Sequence, residues 1–297
     1  MGKLNNLKGC GTAMITPFLP DGRLDEKSLT SLIEWQIQEG INFLVPCGTT
    51  GESPVLTHEE HLSVVGITVQ KAHGRVPVLA GAGGNNTAKI IELVKELQGL
   101  GVDGILSVSP YYNKPMQEGI YRHYRAIAES TDLDIVVYNV PGRTGSNILP
   151  ETLLRLAEIP NIIGVKEASG DISQVGEICT RAPEHFRVLS GDDALTLSII
   201  ALGGCGIISV ASNEVPGMMA KLASACVEGR WDEARAWNKK LYPLMKANFV
   251  DSSPIPVKAA LAMMGKIHEV YRLPLAKISD SGRATLASAL SALKLIA

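Results

Sequence analysis

An α/β fold, a closed (β/α)8 TIM barrel with a C-terminal helical extension, is predicted by two features of this 297-residue sequence. Eight short apolar runs alternate with amphipathic helical stretches, and no dinucleotide-binding fingerprint interrupts them. An open doubly wound sheet uses the same alternation, but eight units of similar length, about 20 to 33 residues each, favour closure. The runs span residues 11–16, 42–46, 76–80, 104–109, 134–139, 162–166, 187–190 and 206–210. They are mostly continuous in β-branched and aliphatic residues, as expected of strands buried on both faces of a parallel sheet.

The helical stretches follow in order. Leu29, Leu32, Ile33, Gln36 and Ile37 fall on one stripe that starts near Asp25 and stops at Gly40. Thr57 with Glu60 three residues later forms a capping box for the next helix. Ile90, Val94 and Leu97 repeat the helical spacing and end before Gly101, and Ile120, Tyr124 and Ile127 do so again. Residues 194–213 carry no charge and are long enough to cross a bilayer. Gly203, Gly204 and Gly206 and the hydroxyls of Thr196, Ser198, Ser209 and Ser212 make them read instead as a buried helix followed by a buried strand. From Asn213 on, Ala/Leu-rich stretches with Trp231 and Trp237 read as a helical region, dividing the chain into a barrel at 1–212 and a packed extension at 213–297.

Composition narrows the function. With 28 Lys+Arg against 30 Asp+Glu, the net charge of −2 offers no basic patch for nucleic acid. Apolar residues at 45% and charged residues at 20% supply a sizeable core and exclude a disordered chain. Five cysteines, Cys10, Cys47, Cys179, Cys205 and Cys226, form no C-x-x-C and fit a reducing compartment better than a disulfide framework. The first twenty residues are broken by Pro17 and lack a small-residue cleavage site, so no signal peptide is expected. The expected location is the cytoplasm, with no membrane association.

Two motifs fail on spacing. Gly81-Ala82-Gly83-Gly84-Asn85-Asn86 has asparagine where a dinucleotide loop needs its last glycine. His58-Glu59-Glu60-His61 sets its histidines three apart, whereas the zinc-protease helix needs four. No metal site is expected, and His73, His123, His185 and His268 are expected on surfaces.

In a barrel, chemistry sits at the carboxyl ends of the strands and in the loops that follow. That rule selects Gly48-Thr49-Thr50-Gly51-Glu52, Tyr111-Tyr112-Asn113, Tyr138 to Arg143, Lys166, and Gly191-Asp192-Asp193. Lys166 closes the run Ile162-Ile163-Gly164-Val165, where a side chain can point into a dry barrel mouth. Desolvation favours a neutral lysine amine, which can attack a carbonyl to form a Schiff base. The alternative is a solvated strand end in which Lys166 pairs with Glu167. Tyr138, Tyr112 and the Thr49 and Thr50 hydroxyls are available to move protons, although each tyrosine also suits simple packing. Arg143 can hold a carboxylate through its planar fork or stand as a solvated loop residue. Gly48 and Gly51 allow backbone amides to approach an anion, a pattern that ordinary turns share.

These residues, with Ser109-Pro110-Tyr111-Tyr112-Asn113-Lys114-Pro115, Tyr138 to Gly145 and Gly164-Val165-Lys166-Glu167, make the chain similar to the dihydrodipicolinate synthase family of pyruvate-dependent lyases. The resemblance runs over essentially the whole chain. It implies that Lys166 condenses with pyruvate and that the enamine attacks L-aspartate 4-semialdehyde, giving 4-hydroxy-tetrahydrodipicolinate in lysine and diaminopimelate biosynthesis. It further implies a proton relay of Thr49, Tyr138 and Tyr112, with Tyr112 reaching the relay of a neighbouring subunit in a homotetramer built as a dimer of dimers. Thr50 would hold the pyruvate carboxylate, Arg143 that of the semialdehyde, and the backbones of Gly191 and Ile208 would line the pocket. No metal or organic cofactor is implied beyond the covalent imine with pyruvate. Sister lyases acting on 2-keto sugar acids such as N-acetylneuraminate typically lack an arginine at position 143, so Arg143 favours the amino-acid substrate. The family's inhibitory lysine site maps to Ser53, His58, His61, Asn85 and Tyr111. Lys89 stands where lysine-sensitive members carry a glutamate, which implies weak or absent inhibition because a cation there repels the ligand.

Overall fold

In a computed structural model, which describes Leu4 and residues 7–296, the eight runs form eight parallel strands. They are β1 (Gly9–Ala13), β2 (Phe43–Val45), β3 (Leu79–Gly81), β4 (Gly104–Val108), β5 (Asp134–Asn139), β6 (Ile162–Glu167), β7 (Arg187–Ser190) and β8 (Gly206–Ser209). The order β2-β1-β8-β7-β6-β5-β4-β3 leaves β2 and β3 at the ends, and a parallel bridge between Leu44 and Val78 joins them. Leu44 N–H donates to the Pro77 carbonyl and Gly81 N–H to that of Pro46, each at 2.9 Å, so the sheet closes into a barrel.

Two strand boundaries shift for identifiable reasons. β3 begins later than residue 76 because Pro77 has no N–H to offer the ladder. β1 ends before residue 16 because side chains capture its extension: Ile15 N–H donates to Asn213 Oδ1, and the Thr16 hydroxyl donates to the Gly51 carbonyl at 2.7 Å.

Side chains alternate between two cores. Ala13, Phe43, Val45, Leu79, Leu106, Val136, Leu189 and Ile208 fill the barrel, with Leu4 and Leu7 in the same cluster. Cys10, Leu44, Ala80, Ile105, Val137, Val165 and Ile207 face outward onto the helices. Burial on both faces explains why the runs read as continuous, and each large aliphatic side chain so buried contributes roughly 1.5–3 kcal/mol.

The helices between the strands are α1 (Glu26–Gln38), α2 (His58–Ala72), α3 (Thr87–Gly99), α4 (Gln117–Ala128), α5 (Pro141–Thr144), α6 (Pro150–Ala157), α7 (Ile172–Arg181) and α8 (Thr196–Ala201). Asp25 caps α1 and the Thr57–Glu60 box caps α2, as the sequence predicts. Residues 194–213 form the predicted buried helix and strand, and no helix among the described residues is long and apolar enough to cross a membrane. Past β8 come α9 (Pro216–Val227), α10 (Trp231–Ala247), α11 (Ile255–Met263) and α12 (Asp280–Ala292). Because α9 packs on β1 and α10, the division at 212/213 falls between β8 and the helix that follows it. Most of the first residues of the segment read as lacking a signal peptide, 1–3 and 5–6, lie outside the described residues, as does Ala297.

One histidine departs from expectation. His73, His185 and His268 are exposed, but His123 is buried between α3 and α4, its Nδ1 2.9 Å from the Thr87 hydroxyl. The helical stripe that buries Ile120 and Tyr124 carries His123 inward with them.

Candidate active site

Strands β5 and β6 build the centre of the site. Tyr138 is in register with Lys166 and Asn139 with Glu167, so the two-residue period sends the first pair into the barrel and the second pair outward. Lys166 and Tyr138 are 5% and 6% exposed, and Lys166 Nζ lies 4.3 Å from the centroid of the tyrosine ring. Glu167 does not pair with Lys166. It accepts from Asn139 Nδ2 at 3.0 Å and from Ser169 N–H at 2.6 Å, and burial raises its pKa while those donors lower it. The solvated strand-end alternative is therefore overturned: both residues are buried, on opposite faces of the sheet.

Gly191, after β7, lies against the lysine stem. A Cβ there would sit 3.2 Å from Lys166 Cε and 2.7 Å from Ala168 Cβ, so only glycine lets the lysine run straight to the mouth. Ile208 is fully buried inside the barrel near the same level. Asp193 has a structural task instead: it accepts from the Ser209 hydroxyl and from the Val210 and Ala211 amides, tying the ends of β7 and β8 together.

The loop after β2 forms the opposite wall. Cys47 and Glu52 both adopt left-handed backbone conformations (φ 55°), and between them Gly51 N–H donates to the Gly48 carbonyl and Glu52 N–H to that of Thr49. The loop packs so closely on β3 that a Cβ at Gly81 would lie 2.0 Å from the Cys47 carbonyl oxygen. Thr50 is buried, while Thr49 and Tyr138 line a narrow cleft of about 30 Å³ with Leu106 and Val108. That cleft shares walls with a cavity of about 380 Å³ lined by Thr49, Ser53, His61, Tyr111, Val140 and Arg143. Arg143, exposed on α5, donates from Nη2 to the Ser253 carbonyl at 3.1 Å.

The remaining candidates separate. Tyr111 lines the cavity, but Tyr112 is 89% exposed in a left-handed conformation (φ 73°) and lines neither the cavity nor the narrow cleft that Tyr138 borders. Asn85 Nδ2 donates to the Tyr111 carbonyl at 3.2 Å, and a His61 ring nitrogen lies 3.0 Å from the Gly81 carbonyl. Burial lowers the His61 pKa. His58 pairs with Glu96 at 2.7 Å on the exposed side of α2, and Lys89 is exposed on α3. Among the described residues, no three His, Cys, Asp or Glu side chains gather as metal ligands.

Several residues that shape the site were not selected from the sequence: Lys258, which pairs with Glu52, the Ser253 carbonyl, and Arg272. Lys258 carried a usable signal, since it is a lone charge in the otherwise apolar stretch 254–263. A charge embedded in such a helix needs a buried partner.

What the mouth assembles is a buried amine beside a phenol, two threonine hydroxyls and a guanidinium. That set suits carbonyl condensation with anionic substrates. Similar proteins share the whole architecture. The model of the Dihydrodipicolinate synthetase family matches residues 6–293. A 4-hydroxy-tetrahydrodipicolinate synthase of Koribacter versatilis is 56% identical over 281 residues, covering 94% of each chain. The structure of the chloride-inhibited dihydrodipicolinate synthase from Acinetobacter baumannii, complexed with pyruvate, superimposes with a TM-score of 0.96 at 42% identity, over 98% of this chain and 100% of that one. The enzyme from Cyanidioschyzon merolae with lysine bound gives 0.95 at 40% identity, over 97% and 99%. With the family model matching residues 6–293 and relatives similar over nearly their full length, the chain belongs to the dihydrodipicolinate synthetase family.

Proposed function

We infer that this chain is a lyase that condenses pyruvate with L-aspartate 4-semialdehyde to 4-hydroxy-tetrahydrodipicolinate, in lysine and diaminopimelate biosynthesis. Its named relatives carry that activity, and the chain matches them over nearly their full length. The observation that carries the residue assignment is the buried contact between Lys166 and Tyr138 at the carboxyl end of β5 and β6. The Lys166 amine attacks the keto carbon of pyruvate, and loss of water leaves an imine. Loss of a methyl proton converts the imine to an enamine, whose carbon forms the new bond to the aldehyde of the semialdehyde. The amino group of the bound semialdehyde unit then attacks the imine carbon, closes the ring and releases Lys166. Tyr138 and Thr49 carry protons in these steps, joined by Tyr112 from a neighbouring copy. Thr50 holds the pyruvate carboxylate, Arg143 that of the semialdehyde, and the backbones of Gly191 and Ile208 line the pocket. The reaction uses no metal or organic cofactor.

The exposed Tyr112 supports an active unit of at least two copies, and the family resemblance extends this to a homotetramer built as a dimer of dimers. A cytoplasmic location is supported by five cysteines that all stand as free thiols. Ser53, His61 and Tyr111, which line the cavity, with Asn85 bonded to the Tyr111 carbonyl and His58 on α2, are the positions for lysine binding, weakened by Lys89. The deciding experiment is reduction with borohydride in the presence of pyruvate, followed by mass analysis. A reduced pyruvate adduct on Lys166 is expected, and its absence overturns the Schiff-base assignment.

A further inference from the structure

The extension beyond the barrel touches the active-site mouth at two points five residues apart. The Ser253 carbonyl accepts from Arg143 Nη2 at 3.1 Å. Lys258 Nζ, on α11, donates to Glu52 Oε1 at 2.5 Å, and both side chains are sealed from solvent, at 0% and 1% exposure. Glu52 closes the loop that carries Thr49 and Thr50, and its own N–H donates to the Thr49 carbonyl at 3.1 Å. Its left-handed backbone (φ 55°) is a conformation that a non-glycine residue holds only when its surroundings demand it.

The surroundings are built for that task. Phe18 is flanked by two cations, Lys258 Nζ and the Arg272 guanidinium, each 4.3 Å from the ring centroid. Arg272 reaches past the ring to the Val55 carbonyl at 2.9 Å and to both oxygens of Glu60, holding the chain just beyond Glu52. The Thr16 hydroxyl holds Gly51 from the barrel side. Glu52 Oε2 remains buried without a hydrogen-bond partner. A buried ion pair with an unsatisfied oxygen is a poor source of stability, because desolvation offsets most of the attraction. Such a pair is better suited to fixing one geometry.

We propose that residues 253–258 position the active site: Lys258, acting through Glu52, fixes the loop that presents Thr49 and Thr50, while the Ser253 carbonyl aims Arg143. Lys258 and Glu52 touch no reacting atom and are positioning residues. The proposal rests on the roles given above to Thr49, Thr50 and Arg143. It also assigns the C-terminal helices a share in catalysis, because misplacing a catalytic group by about 1 Å can slow a reaction on the order of a hundredfold.

The test is the double variant Lys258→Met with Glu52→Gln, which removes both charges, keeps both volumes and leaves no unpaired ion. Steady-state kinetics and thermal unfolding are measured on the full chain. With the loop loosened, KM for pyruvate is expected to rise and kcat to fall, each by about tenfold, while the unfolding midpoint stays near that of the unaltered chain. A folded double variant with kcat and KM unchanged overturns the proposal and leaves the pair a packing feature. Should the double variant fail to fold, Glu52→Gln alone keeps an acceptor for Lys258. It is expected to raise KM for pyruvate about threefold, and unchanged kinetics in it overturn the proposal equally. Borohydride trapping of the unaltered chain keeps the two ideas apart: a missing adduct rejects the Lys166 assignment, whereas an adduct with unchanged variant kinetics rejects only the positioning role.

Discussion

Tyr138 and Lys166 are register partners across β5 and β6, and the lysine Nζ lies 4.3 Å from the centroid of the tyrosine ring inside the barrel mouth. The contact uses the face of the ring and leaves the hydroxyl for other work. Tyr138→Phe therefore keeps the packing and removes only the proton carrier. A fall in kcat of about 10²- to 10⁴-fold is expected, with little change in thermal stability. A kcat within about fivefold of the unaltered chain would remove Tyr138 from the proton path.

Arg143 is exposed, held on one side by the Ser253 carbonyl, and lines the larger cavity away from Lys166. Arg143→Ala should affect one substrate only. Loss of a charge-assisted contact worth about 1.5–3 kcal/mol raises KM for the semialdehyde roughly 10- to 100-fold. Borohydride trapping of pyruvate is expected to proceed at the usual rate. If trapping collapses instead, Arg143 serves pyruvate and the carboxylate assignments must be exchanged.

His123 predicts a pH effect on folding. Burial holds its pKa down to about 4 from 6.5, and the Thr87 hydroxyl sits 2.9 Å from Nδ1. The ring stays neutral in the folded state at pH values where the unfolded chain already takes up a proton. Its contribution is thus complete above pH 6.5 and is lost as the pH falls toward 4, on the order of 3 kcal/mol in total. Glu167, Asp193 and Glu214 act in the opposite sense, since burial raises their pKa values and stability is lost as the pH rises past their unfolded values. Comparing denaturant unfolding of His123→Gln and the unaltered chain from pH 7.5 to 4.5 isolates the histidine. Parallel curves would show that His123 contributes nothing to the acid slope.

Lysine should inhibit weakly. Lys89 is exposed on α3, at the position where the resemblance expects a glutamate. Lys89→Glu replaces repulsion by attraction for the ammonium groups of a ligand of net charge +1 and is expected to tighten inhibition by about tenfold, equivalent to ~1.4 kcal/mol. Titration of free lysine into the assay measures it. Strong inhibition of the unaltered chain below millimolar concentration would contradict the expectation.

Much of this was legible in the sequence. Continuous apolar runs announced strands buried on two faces, and the Thr57–Glu60 box announced the start of α2. Lys166 stood out because it ends such a run at the barrel's carboxyl end. His123 did not stand out, because its inward direction depends on how α4 lies against α3 rather than on any property of histidine. Tyr111 and Tyr112 are adjacent and chemically equal, yet one lines the cavity and the other is turned out by a left-handed backbone.

The sequence by itself determined the order of eight strands and their helices and which strand-end loops supply candidates for the site, because hydrophobic period and turn chemistry are local properties that each segment carries with it. Tertiary structure alone decided that Glu167 turns away from Lys166, that Gly191 lies against the lysine stem, and that Lys258 meets Glu52 across 206 positions of sequence. These relationships arise only when the closing sheet fixes the phase of every strand and the final helices fold back over the mouth. Neither event is encoded in any one stretch of the chain.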